Sequence, residues 1–134
     1  MLVVETDSWS LLLPPEWWAE QEGETVLIAD RDGVGCIEIT TLRSDHGLAG
    51  GPAALCELAR SVAPENDWRE ASLAACAALY AESVGDGAAL REWCLVRESL
   101  ALYISYSCAP ENRGLDDAAV DELLATLTLD PALS

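Results

Sequence analysis

His46 and the five cysteines are the side chains of this sequence best suited to chemistry. His46 is the only histidine, and it follows Asp45 in a glycine-rich stretch running from Ser44 to Gly51. A carboxylate beside an imidazole can orient the ring as a general base, with Cys36 or Cys56 as the nucleophile it would activate. Sequence neighbours seldom take that geometry, and both cysteines lie at core-like positions among apolar residues. The cysteines, at 36, 56, 76, 94 and 108, form no C-x-x-C pair of the kind that binds zinc or cycles between redox states. They read as small buried hydrophobes in a reducing compartment. Asp30-x-Asp32-Gly33 echoes the start of a calcium loop, but Val34, Cys36 and Thr41 occupy the stretch where later acidic ligands belong. A hairpin turn fits it better. Asp45, Asp116, Asp117 and Asp121 would hold a hard cation only if the fold gathered them, and Asp117 and Asp121 suit one solvated helix face. The expectation is no catalytic residue, no metal and no cofactor.

Binding chemistry has better candidates. Trp17-Trp18 follows Pro14-Pro15, and in an extended segment adjacent side chains point to opposite faces. One tryptophan should therefore pack in the core while the other is at least partly exposed, and exposed tryptophan is favoured at binding hot spots. Trp93, central in an apolar run, is either core or the floor of a groove, with Tyr103 on the next strand as its cross-strand mate. Strict alternation puts Arg91 and Arg97 on the Trp93 face, where they would pair with internal carboxylates or recognise an acidic group. Trp17, Trp18, Trp93, Tyr103 and Arg91 are the expected binding residues.

Composition limits the partners. The 134 residues hold 24 acidic side chains against 7 basic ones, all arginine, for a formal net charge of −17. That charge repels phosphate backbones, so nucleic acid is excluded as a partner, whereas a basic protein is compatible. A hydrophobic content of 51% argues for a folded body rather than disorder. The length fits one domain, residues 1–134, burying roughly two thirds of its unfolded surface. No run reaches the ~18–20 apolar residues that span a bilayer, and the segment Met1 to Asp7 lacks the basic start of a signal peptide. Cytoplasmic residence is expected.

These residues must be carried by strands and two helices. Trp9 to Leu13 reads as a strand ended by Pro14-Pro15, and extended chain resumes at Trp17. Glu24 to Asp30 and Val34 to Leu42 form a hairpin about Arg31-Asp32-Gly33, with Ile37 and Ile39 on one face and Cys36, Glu38 and Thr40 on the other. Leu55, Leu58, Ala59 and Val62 recur at helical spacing after Pro52 and stop before Pro64. Arg69 to Ala74, Cys76 to Val84, Ala88 to Arg97 and Leu100 to Cys108 then read as strands, joined in part by Gly85-Asp86-Gly87 and Glu98-Ser99. Val120, Leu123, Leu124 and Leu127 mark a final helix, with Asp116 and Asp117 at its positive end and Pro131 closing it. The order predicts an α+β fold with antiparallel hairpins rather than βαβ crossovers.

The segments WSLLLPPEWWAEQEGETVLIAD, REWCLVRESLALYISYSCAP and GLDDAAVDELLATLTL resemble the opening strands, central hairpin and closing helix of the PsbP-like superfamily. That superfamily includes the photosystem PsbP subunit, the Ran-binding nuclear-import regulator, DcrB-type proteins and chaperones of type VI secretion effectors. The resemblance spans nearly the whole chain, but its motifs are turns and core. It implies an antiparallel β-sheet with helices packed on its faces, an α/β/α sandwich, and a role in binding rather than chemistry. None of the matching residues is catalytic in the family. The secretion chaperones grip apolar helices of their clients and tend to pair, so the resemblance also implies a homodimer.

The resulting expectation is a non-enzymatic protein-binding domain, an adaptor or chaperone for a secreted or toxic partner. An immunity or inhibitor protein capping a basic active site with its acidic surface is a second reading. A small-molecule-binding or hydrolytic domain centred on His46 is a third.

Overall fold

The computed structural model describes residues 2–6, 8–31, 33–43, 59–60, 66–74, 76–85, 87–97 and 100–129. His46 and Cys56, the Ser44–Gly51 stretch and Pro131 lie outside the described residues, as does most of the helix expected after Pro52. Ten strands are described: β1 (Leu2–Glu5), β2 (Trp9–Leu13), β3 (Trp17–Glu22), β4 (Thr25–Asp30), β5 (Gly35–Arg43), β6 (Arg69–Leu73), β7 (Cys76–Val84), β8 (Ala89–Arg97), β9 (Leu100–Cys108) and β10 (Thr128–Leu129). One helix, α1 (Asp117–Ala125), follows a 3₁₀ turn at Pro110–Asn112.

Strands β3 to β9 form a seven-stranded sheet in the order β3-β4-β5-β9-β8-β7-β6, every neighbouring pair antiparallel. The two meanders meet where β9 returns beside β5. Along the ladder Val26 opposes Ile39, Ile28 opposes Ile37, Ile37 opposes Tyr106 and Ile104 opposes Trp93, so the alternation read from sequence places one continuous apolar stripe on a single face. A second layer of β2, α1 and Leu127–Leu129 covers that stripe. Trp9, Leu11 and Leu13 of β2 and Val120, Leu123 and Leu124 of α1 are buried against it. Each fully buried Ile or Leu contributes about 1.5–3 kcal/mol of transfer free energy.

Polar contacts fix how the layers meet. The Trp9 indole donates to Thr41 Oγ1 at 3.1 Å, tying β2 to β5. Thr126, the residue after α1, donates its hydroxyl to Leu123 O at 2.7 Å and accepts from Leu12 N at 2.9 Å. It thereby ends the helix and docks it on β2. The final helix is thus shorter than its apolar spacing suggested: Leu127 lies beyond Ala125, in the link to β10. β1 and β10, which sequence periodicity did not mark, flank β2 in a small three-stranded sheet. On the opposite face of the large sheet Ala59, in helical conformation, packs on Cys94 with Trp68, Leu79, Val96 and Tyr103 around them.

The turns follow the expected chemistry. Asp30 Oδ1 accepts from Gly33 N at 2.9 Å and Val34 N at 3.4 Å, so this carboxylate holds the hairpin turn. Gly35 opens β5 directly under the Tyr106 ring, and a methyl there would overlap the phenol. Gly35→Ala should therefore displace the ring and lower stability by about 1–3 kcal/mol. Urea unfolding compared with the parent chain measures this, and an unchanged midpoint would refute the close approach.

Candidate functional site

The expected binding residues divide between the two faces of the large sheet. Alternation on β3 buries Trp17 (7% exposed) in the core and leaves Trp18 (44% exposed) outward on the other face. Trp93 and Arg91 lie on the core-side face, beneath α1. Tyr103 lies on the opposite one. The pairing of Trp93 with Tyr103 is therefore corrected: the β8–β9 register sets Trp93 against Ile104 and Cys94 against Tyr103. Tyr80 is the aromatic neighbour of Trp93, directly opposite on β7, with ring centroids 5.2 Å apart. The Arg97 side chain lies outside what is described.

Arg91 joins sheet to helix. Its Nε donates to Tyr80 Oη at 2.7 Å, its Nη2 to Asp121 Oδ1 at 2.7 Å, and its Nη1 lies 3.5 Å from Asp117 Oδ1. The guanidinium also lies against the Tyr80 and Trp93 rings, 5.4 and 4.8 Å from their centroids. The Tyr80 hydroxyl in turn donates to Glu82 Oε1 at 2.6 Å. Burial pulls against the Arg91 charge, but the bonds to Tyr80 and Asp121 outweigh it and hold the group protonated above its ordinary range. Asp117 and Asp121 do share a helix face, as expected, but that face turns toward Arg91 rather than standing free in water. Asp116 accepts from Tyr106 Oη at 2.9 Å. These contacts engage Asp116, Asp117 and Asp121, whereas Asp45 lies outside the described residues, and no group of three or more metal-ligating side chains gathers among the described residues.

Beside Arg91 the chain forms a groove of about 300 Å³ between the β6–β7 turn and α1. Trp93 forms its floor, 6% exposed, Leu73 and Leu124 its walls, and Ser72, Asp121 and Ala125 its rim. Leu124 was marked only as a helix position and Leu73 only as part of a strand, because nothing in helical or strand periodicity tells a core position from a groove wall. On the far face Glu92 is buried, accepting from the Tyr103 hydroxyl and from Asn66 Nδ2, the latter at 2.8 Å. Its signal was present: an acidic residue between Arg91 and Trp93, inside a strand covered on both faces.

Two of the thiols, Cys36 and Cys94, are held toward the protonated form. Burial, then the Glu92 charge, pushes Cys94 up to about 12, and burial followed by Glu38 raises Cys36. All three tyrosines are raised too. Burial takes Tyr80 to about 12 despite the Arg91 bond, while burial and an accepting carboxylate (Glu92 for Tyr103, Asp116 for Tyr106) hold the other two well above the usual phenol range.

No protein-family model and no curated protein sequence matches this chain. Solved structures do. A crystal structure from Bacteroides thetaiotaomicron VPI-5482 superposes with a TM-score of 0.68 at 17% identity, over 91% of this chain and 45% of that one. This chain thus spans under half of that protein. LpqN of Mycobacterium tuberculosis, involved in cell envelope biogenesis, matches with a TM-score of 0.63 and 16% identity over 92% of this chain and 83% of its own. The solution structure of CyanoP, the PsbP of Synechocystis sp. PCC 6803, matches at 0.61 and 10% identity over 91% of this chain and 86% of its own. The fold is PsbP-like, an antiparallel sheet with a helix against one face. Identities this low show fold alone.

Two measurements test the site. Arg91→Ala should lower stability by about 2–3 kcal/mol through lost packing and pairing, and Arg91→Lys should recover less than half, because an ammonium cannot serve Tyr80 and two carboxylates together. Full rescue by lysine in chemical denaturation would argue for charge alone. The raised phenols make the folded state resist deprotonation, so their stabilisation is complete below the ordinary tyrosine range, near pH 10, and is lost as pH rises toward 12 and beyond. Absorbance at 295 nm should stay low at pH 10.5 and rise together with unfolding. Phenolate signal from the folded protein at that pH would contradict it.

Proposed function

We propose that this chain is a non-catalytic, cytoplasmic protein-binding domain, an adaptor or chaperone for a secreted or toxic partner. The observation that carries this reading is the groove floored by Trp93, an aromatic surface walled by Leu73 and Leu124 with the carboxylate of Asp121 on its rim. Such a site suits an apolar side chain of the partner flanked by basic residues, and the net charge of −17 would steer that partner inward. Pairing of two copies would work against that same charge on each, so a different, cationic protein is the occupant proposed. Raised thiols at Cys36 and Cys94 support binding over catalysis. No helix among the described residues is long and apolar enough to cross a membrane. The α/β/α arrangement belongs to the same proposal: Ala59, helical and buried against Cys94, supports a second helix over that face.

Photo-crosslinking in the native host tests the reading. A photoreactive residue at Leu73, on the groove wall, should give one recurrent protein adduct that Ala125→Arg abolishes. A photoreactive residue at Ser10, on the small sheet, should not give it. Equal labelling from both positions, or none from Leu73, would overturn the groove as a binding site.

A further inference from the structure

Among the described residues, the sheet has an open position at its β7 side. β7 runs nine residues, but β6 pairs only with Cys76 to Tyr80, so Ala81 to Val84 have no outer neighbour among the described residues. The reason is visible upstream of β6. Instead of continuing along β7, the chain before Arg69 leaves over the far face, where Trp68 packs by Cys94 and Asn66 binds Glu92 at 2.8 Å. Alternation defines what the open position offers. The tight hairpin linking Leu73 to Cys76, with Ala74 at φ +53°, makes these residues a hydrogen-bonded pair. Two-residue periodicity then turns the main-chain N–H and C=O of Glu82 and Val84 toward the open side.

A cleft of about 300 Å³ lies along this edge, lined by Asp67, Arg69, Tyr80, Glu82, Val84 and Arg113. Two of the chain's seven arginines converge on it. Both are loosely held: Arg69 lies 3.9 Å from Asp67 and Arg113 4.0 Å from Glu82, beyond hydrogen-bond length, in side chains that are largely exposed. Their planar forks are free to take a carboxylate in two-point contact.

We infer that the open edge of β7 receives the C-terminal tail of a partner protein as an added antiparallel strand, its terminal carboxylate held by Arg69 and Arg113. Direction selects a tail over an internal segment. A strand antiparallel to β7 lies in line with β6 and runs the same way, so its C-terminal end meets the start of β6 at Arg69. There the path is blocked, and a chain that ends there avoids the collision. Main-chain bonds to Glu82 and Val84 supply affinity with little sequence demand, and the carboxylate supplies the register. A polyanion is disfavoured by the −17 of the whole molecule, whereas a single carboxylate that takes the place of Asp67 and Glu82 in their loose pairs meets two cations at short range. This deepens the proposed protein-binding role by naming the partner's segment, and it rests on that role.

The test is selection of random heptapeptides displayed with free C-termini against the full chain, with the same library displayed as internal loops for comparison. Free C-termini should be enriched over loops, and the winning peptide should bind about tenfold more tightly as the acid than as the amide. Arg69→Gln combined with Arg113→Gln should abolish that preference, while Trp93 fluorescence and unfolding stay as in the parent. Amide exchange at Glu82 and Val84 should slow on binding. Equal enrichment of loops, equal affinity for acid and amide, or a preference surviving both substitutions would overturn the inference. Crosslinking from Leu73 that persists through any of these results leaves the broader binding role standing, so the two failures are distinguishable.

Discussion

Arg91 brings a charge into the interface between helix and sheet, with its side chain only 14% exposed, where an unpaired guanidinium would cost several kcal/mol. The surroundings answer that demand from three elements at once. β7 supplies the Tyr80 hydroxyl, β8 the Trp93 ring face, and α1 the carboxylates of Asp117 and Asp121. The helix can meet these partners in one rotational setting only, because Asp117 and Asp121 are a turn apart on the same face. Setting α1 that way turns Val120, Leu123 and Leu124 onto the apolar stripe and leaves the Trp93 groove between helix and β6. The groove is thus a by-product of satisfying one buried cation.

Much of this was legible in the chain itself, for reasons that can be named. The strands from Thr25 to Cys108 announce themselves because β-branched and aromatic residues alternate with polar ones, and the glycine turns set where they reverse. Opposite faces for Trp17 and Trp18 follow from the same period of two. The error over Trp93 and Tyr103 was one of register rather than period. With Glu98-Ser99 linking Arg97 to Leu100, Trp93 must oppose Ile104, so Tyr103 must face away. Leu2–Glu5 and Thr128–Leu129 escaped notice because short strands pairing across the length of the chain carry no local signal. Arg91 and its carboxylates were each suspect alone, but only α1 docked on β8 joins them.

Acidity looks different once the edges of the sheet are known. Edge strands invite further pairing, and charged residues along them discourage it. β3, at one edge, carries Glu20 and Glu22, and β6, at the other, carries Arg69 and Glu70. Each protected edge therefore has its own charges, over and above the solubility that −17 confers. The upper half of β7 is different. Its outward main chain is bordered by two guanidiniums, each weakly paired with one carboxylate, so the negative charge of the molecule is locally balanced there.

Range decides which field a partner feels. At physiological ionic strength charges beyond about 8 Å are largely screened, so the −17 acts as a diffuse background that gathers cations and thins out anions near the surface. Contacts under 4 Å escape most of that screening. On the proposed reading, a cationic client would be drawn by the background toward the Trp93 groove, while a single carboxylate on the same client could still be captured locally by Arg69 and Arg113. Tyr80 connects the groove and the β7 cleft, since that residue lines the cleft and packs at a tilt against Trp93, the floor of the groove. One partner bearing a basic, apolar segment near its C-terminus would satisfy both sites together, and the second contact would then form at the high effective concentration set by the first.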